Sequence, residues 1–118
     1  MAAHNELGKF GEELGKDFLT AKDFTILFRN WKFARYEVDI IASKKNVLHF
    51  VEVKTRRGNR FGFPEESVDR KKLQHLMNAA EEFQYRFPQW KLVQYDILSI
   101  SINRFNEPDF FFIEDVYL

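Results

Sequence analysis

The sequence predicts an α/β protein of the α+β kind, a mixed central sheet flanked by helices, and three observations carry that prediction. Two strand-like stretches, Tyr36–Ile41 and Val47–Val53, flank Lys44-Lys45-Asn46 and read as a hairpin. A long amphipathic segment follows, and then two more strand-like stretches, 92–102 and 110–118. A hairpin joined through a helical crossover to further strands gives a sheet with both parallel and antiparallel pairs and helices to cover it. With 118 residues the chain makes one domain, 1–118, large enough for a real core.

The first helix is expected over about residues 5 to 22, with Asn5 as its N-cap. Leu7, Phe10, Leu14 and Phe18 form an apolar stripe, while Gly8, Gly11, Gly15 and Leu19 form a second face at helical spacing. Each glycine costs a helix ~1 kcal/mol relative to alanine, so close approach of this face to the sheet is expected in return. Glu12 falls within that small-residue face, which directs its carboxylate toward the sheet. Phe24–Phe28 is the first strand and leads through Arg29–Lys32 to the hairpin. The second helix starts near Pro64-Glu65-Glu66-Ser67 and ends before Pro88, with Leu73, Leu76, Met77, Ala80, Phe83 and Phe87 as its core stripe. The order is α-β-β-β-α-β-β.

The hairpin carries residues that packing does not explain. With Lys45-Asn46 as a two-residue loop, Asp39 lies opposite Glu52, Glu37 opposite Lys54, and Ile41 opposite Phe50, all on one face. Two carboxylates with Cβ atoms ~5 Å apart destabilise a sheet unless a proton or cation sits between them. Oxygen ligation by one or two carboxylates, completed by water and a substrate phosphate, suits Mg²⁺ or Mn²⁺. Two other readings stay open at this level. Glu37 and Lys54 form a cross-strand ion pair while Asp39 and Glu52 decorate a solvent face, or a one-residue slip moves the whole set to the other face.

Composition bounds the rest. Eighteen basic and eighteen acidic residues cancel, so overall charge does not announce a nucleic-acid binder. Locally, Lys54-Thr55-Arg56-Arg57-Gly58-Asn59-Arg60 holds four cations and no acid, and Arg70-Lys71-Lys72 follows. Phosphate contact needs local charge of this kind, although a solvated loop looks the same. No cysteine is present, which removes disulfides, thiolate nucleophiles and cysteine zinc sites and fits a reducing compartment. No apolar run approaches the ~20 residues of a membrane span and the N-terminus is polar, so a cytoplasmic location is expected. His4, His49 and His75 have no metal-ligand spacing; Trp31 and Trp90 are read as packing rather than base-stacking residues.

The element order, with Asp39 and then Glu52-Val53-Lys54 on successive strands, resembles the restriction-endonuclease-like PD-(D/E)XK superfamily and its αβββαβ core. Asn5-x-Leu7-Gly8-x-x-Gly11-Glu12, Asn30-Trp31, Glu37-Val38-Asp39-Ile40-Ile41, Phe50-Val51-Glu52-Val53-Lys54-Thr55-Arg56 and Tyr95-Asp96 together resemble the YraN-like family of bacterial proteins of unknown function. The resemblance covers nearly the whole chain. It implies metal-dependent phosphodiester hydrolysis, with Asp39, Glu52 and the Val53 carbonyl as ligands of Mg²⁺ or Mn²⁺ and Glu12 assisting from the helix. Lys54 would orient or deprotonate the attacking water or stabilise the transition state, and Arg56, Arg57, Arg60 and Lys72 would hold the nucleic-acid backbone. Tyr36 stands where the family has a small residue, Gly15 where it has alanine, and Val38 where the superfamily has its namesake proline. For Asp96 a structural and a catalytic role stand side by side.

The expected function is a metal-dependent nuclease, with structured or branched DNA as the favoured substrate. The alternatives are a non-catalytic nucleic-acid-binding accessory protein on the same fold and a structural or partner-binding domain. A homodimer is the assembly considered, and Phe110–Ile113 would be a pairing hazard as an exposed edge.

Overall fold

The computed structural model describes residues 2–58 and 69–116, with side chains from residue 6 onward. Its elements are α1 (Ala2–Ala21), β1 (Thr25–Phe33), β2 (Tyr36–Lys44), β3 (Val47–Arg57), α2 (Arg70–Arg86), β4 (Leu92–Ile102) and β5 (Pro108–Ile113). The strands form one sheet in the order β1-β2-β3-β4-β5, antiparallel except for β3 and β4. This is the expected αβββαβ core with one further strand.

The helices cover opposite faces. On one face α2 buries Leu73, Leu76, Ala79, Ala80 and Phe83 against Val38, Ile41, Leu48 and Phe50. On the other, α1 and the segment after it bring Leu19 and Phe24 against Ile40, Ala42, Val51, Leu98, Ile100 and Ile102. Phe83 is the hub of the first cluster, meeting Phe28, Trp31 and Phe50 edge-on at centroid distances of 5.4–5.6 Å. Trp31 and Trp90 both lie partly buried against this cluster, as packing residues.

Local chemistry sets the ends of the elements. The helix α1 begins at Ala2 rather than at Asn5, because alanine has the highest helix propensity and Ala2-Ala3 continues the helix upstream. Asp23 closes it in the left-handed region (φ 70°). The Phe24 N–H bonds the Leu19 carbonyl and the Asp23 N–H bonds that of Thr20, both at about 3 Å, which is the paired bonding of a Schellman end. The turn Lys45-Asn46 has both residues at positive φ, the two-residue geometry that matches the twist of a hairpin. The helix α2 is capped by Asp69, whose Oδ1 accepts from the N–H groups of Lys71 (2.9 Å) and Lys72 (3.4 Å). The start expected at Pro64–Ser67 lies outside the described residues.

Three further expectations are corrected. The first strand runs over Thr25–Phe33 instead of Phe24–Phe28, and it joins β2 in a hairpin through Ala34-Arg35, a turn with no glycine or asparagine to mark it. The last strand is displaced toward the N-terminus, Pro108–Ile113 instead of 110–118, and leaves the sheet where the Val116 N–H returns to the Tyr95 carbonyl (2.7 Å). Phe10 is 39% exposed, so the α1 stripe that packs is Leu7, Leu14 and Phe18. The strand β5 is a sheet edge, paired on one side only, and Phe111 stands 46% exposed on it.

Gly11 and Gly15 make the close approach inferred from their spacing, and Gly8 does not. A Cβ on Gly11 would lie 1.8 Å from Thr55 Oγ1 and 2.7 Å from Thr55 Cβ, whereas one on Gly8 would meet nothing within 4 Å. Gly11→Ala is therefore expected to destabilise the fold by about 2 kcal/mol or more through overpacking, and Gly8→Ala to stabilise it by up to ~1 kcal/mol; urea unfolding of the two variants checks the pair.

A buried polar cluster ties β3, β4 and the C-terminal segment together. Asp96 is fully buried, its Oδ2 is 2.6 Å from His49 Nδ1, and its Oδ1 accepts from Gln94 Nε2 and from the Asp115 N–H, each at 3.0 Å. The Asp96 role is structural, and His49 is a packed histidine whose ring lies edge-on to Phe24. Asp96→Ala leaves the buried His49 ring and two part-buried donors, Gln94 Nε2 and the Asp115 N–H, without their partner, so a loss of about 3 kcal/mol in urea unfolding is expected.

Candidate functional site

Asp39 stands where the sheet divides. The hairpin has the expected register, Ile41 opposite Phe50 and Ile40 opposite Val51, and its backbone ladder stops there. Continued, that register would place Val53 opposite Val38. The Val53 N–H is instead taken by Asp39 Oδ2 at 2.8 Å, while Val38 pairs with Trp31 of β1. A strand residue turns its N–H and C=O to the same neighbour, so the Val53 carbonyl also faces the gap that opens beside β2. Strict alternation is broken here as well, since Val38 and Ile41 both join the cluster beneath α2.

Along β3 alternation is regular, because all of it pairs with β4. Leu48 and Phe50 face α2, and Glu52, Lys54 and Arg56 continue that face. Val53 and Thr55 face α1, and Arg57 follows them, its Nη1 donating to Asn106 Oδ1 at 3.0 Å. The structure thus gathers Asp39, Glu52 and Lys54 and sets Arg57 apart from them. Arg60 lies outside the described residues. The expected Glu37–Lys54 pairing is not formed: Glu37 pairs across the sheet with Lys32 (3.8 Å), and Lys54 Nζ lies 3.6 Å from Glu52 Oε1.

Asp39 and Glu52 line a cleft of about 210 Å³ beneath α2, and Lys72 of α2 lines its other wall. The remaining lining residues are Arg35, Tyr36 and Glu37 at the start of β2, and His75 and Leu76 from α2. Sequence reading missed His75 as a site residue, although its position three after Lys72 puts both on one helical face. Glu12 is half-buried on α1, which covers the opposite face of the sheet, and it acts on Asp39 through its charge rather than through the cleft.

The electrostatics are those of acids held out of water. Desolvation pushes the Asp39 carboxyl up to about 7 against the Val53 hydrogen bond, and the charges of Glu12, Glu52 and Glu37 push the same way. Lys54 is lowered, first by burial and then by a hydrogen bond to the Lys72 amino group, with Glu52 opposing; Lys72 is raised by that same bond. Among the described residues no three His, Asp or Glu side chains form a metal-binding group by themselves. Two carboxylates and one backbone carbonyl fit a hard cation that keeps several waters and takes a substrate phosphate.

The raised Asp39 pKa has a stability consequence in metal-free protein. The folded state holds the proton more tightly than the unfolded chain, so stability falls as pH rises from the ordinary carboxylate range toward about 7. Asp39→Asn keeps an acceptor for the Val53 N–H and removes the charge. In EDTA it is expected to raise the urea midpoint clearly at pH 8 and scarcely at pH 4.

Residues 11–100 match the family described as "Uncharacterised protein family UPF0102". A UPF0102 protein of Flavobacterium psychrophilum is 44% identical over 104 residues, covering 88% of this chain and 87% of its own. One from Dictyoglomus thermophilum is 44% identical over 102 residues, covering 86% of each, and one from Flavobacterium johnsoniae 45% identical over 107 residues, covering 87% of each.

Proposed function

From the premise that the chain belongs to the UPF0102 family, the YraN-like proteins that its motifs resemble, we propose that it is a metal-dependent nuclease hydrolysing phosphodiester bonds in nucleic acid. The observation that carries this reading is the desolvated Asp39 carboxylate, fixed by the Val53 N–H beside Glu52 and Lys54 at the mouth of a cleft. Desolvating an acid costs stability, and a cation held at this sheet position would offset that cost, which supports the reading.

Asp39, Glu52 and the Val53 carbonyl would hold Mg²⁺ or Mn²⁺, which when bound lowers the pKa of water and neutralises charge on a phosphate. Lys54 sits on the same face with its pKa lowered, first by burial, which makes its ammonium readier to give up a proton and act as a base toward water. Lys72 adds positive charge across the cleft, where a phosphate would otherwise meet three carboxylates. Glu12 raises the negative potential at Asp39 from behind, which favours a cation there. Lys72 and Arg56 are assigned to the nucleic-acid backbone, and structured or branched DNA is the substrate form to test first. A second reading is a non-catalytic nucleic-acid-binding protein on the same fold. The Asp39, Glu52 and Lys54 set stands against it, and one observation favours it: among the described residues no three His, Asp or Glu side chains form a metal-binding group by themselves.

The test compares the protein with Asp39→Ala on single-stranded, duplex, flap and four-way-junction DNAs in Mg²⁺, Mn²⁺ and EDTA at matched salt. Cleavage with either metal, abolished by EDTA and reduced by a factor on the order of 10² or more in the variant, is the expected result. Binding without cleavage under every condition would sink the nuclease reading in favour of the second.

A further inference from the structure

The cleft continues past its acids. Tyr36, three residues before Asp39 on β2, and His75, one helical turn after Lys72 on α2, line it together with Arg35. The Tyr36 and His75 rings meet edge to face, with centroids 5.3 Å apart and planes at 63°. Two contacts and the strand hold this arrangement: the Arg35 guanidinium lies over the Tyr36 ring at 5.5 Å, Asn78 Nδ2 donates to Tyr36 Oη at 3.4 Å, and β2 fixes the backbone. Two non-parallel aromatic walls therefore form a corner in a cleft whose other lining, Leu76 apart, is charged. Both residues are only half-buried. Core filling accounts for their stems, but not for a planar, cation-flanked corner open to the cleft.

We propose that this corner is a nucleobase subsite that receives an unpaired nucleotide adjacent to the phosphate at Asp39 and Glu52. The substrate strand is then single-stranded or splayed at the point of cleavage. The register with the phosphate rests on the nuclease reading; base binding does not. A base inside a duplex has both faces stacked and cannot enter such a corner, whereas an unpaired one offers a π-face to the rings and its phosphate to Lys72. Stacking of this kind is tolerant of sequence, so the subsite selects strand state rather than base identity.

The test is a fluorescence-anisotropy titration in EDTA at fixed salt. A labelled oligothymidylate is compared with an abasic strand of the same length, which keeps the phosphates and removes the bases. The protein is expected to bind the base-bearing strand roughly tenfold more tightly. Tyr36→Phe is expected to keep that ratio, and Tyr36→Leu to bring it close to one with affinity for the abasic strand unchanged. If Tyr36→Leu does not fold, His75→Leu serves in its place. Equal binding of the two strands by the wild-type protein, no binding of either, or a ratio untouched by the leucine variants overturns the subsite. Cleavage assays on the same proteins judge the nuclease reading separately, since a base-dependent ratio without cleavage removes that reading and leaves the subsite standing.

Discussion

One hydrogen bond, from the Val53 N–H to the Asp39 carboxylate, organises the half of this protein that holds the candidate site. Where a continuous hairpin would place backbone against backbone, a side chain accepts instead, and the two strands are free to part company. On one side of the division β2 stays with β1; on the other β3 stays with β4. The gap between them turns a backbone carbonyl and two carboxylates toward the same space. Without that substitution the sheet would close over itself and no cleft would exist at this point.

The division is affordable because β3 is held so firmly on its other flank. All of β3 pairs with β4, and the helix α1 lies close against its face through Gly11 and Gly15. Glu52 and Lys54 are thus mounted on the most constrained strand of the sheet, which is where side chains must stay put if they are to act together. The buried His49–Asp96 bond fastens the same two strands at their opposite end.

Sequence periodicity and turn chemistry revealed the order of elements, the hairpin register and the glycine face of α1, because each depends on local rules of spacing. What they did not reveal depends on tertiary exchange. Pairing Glu37 with Lys54 assumed that β2 and β3 stay together to the end, but β2 parts from β3 at Asp39 while keeping β1, and Lys32 waits opposite Glu37 on β1. The wall built by His75 was hidden for a similar reason: one histidine on an amphipathic helix carries no signal until the sheet beneath it is known. Tyr36 stood out only as a large residue where a resembling family keeps a small one. The Asp39, Glu52 and Lys54 set was legible because charged residues interrupted strands that otherwise read as apolar.

The two walls of the cleft have different histories in the folding chain. Asp39 and Glu52 belong to a hairpin closed by the two-residue turn Lys45-Asn46, so the acidic wall forms from near neighbours. The wall of Lys72 and His75 rides on the helix between β3 and β4, strands whose side chains meet across a long stretch of chain, as His49 and Asp96 do at 47 positions apart. Loop closure of that length makes the second wall the late and entropically costly one. The acids can therefore assemble before the helix cations that face them, and through that interval their mutual repulsion is relieved by Lys54 on the same hairpin, by protons or by a divalent ion from solution.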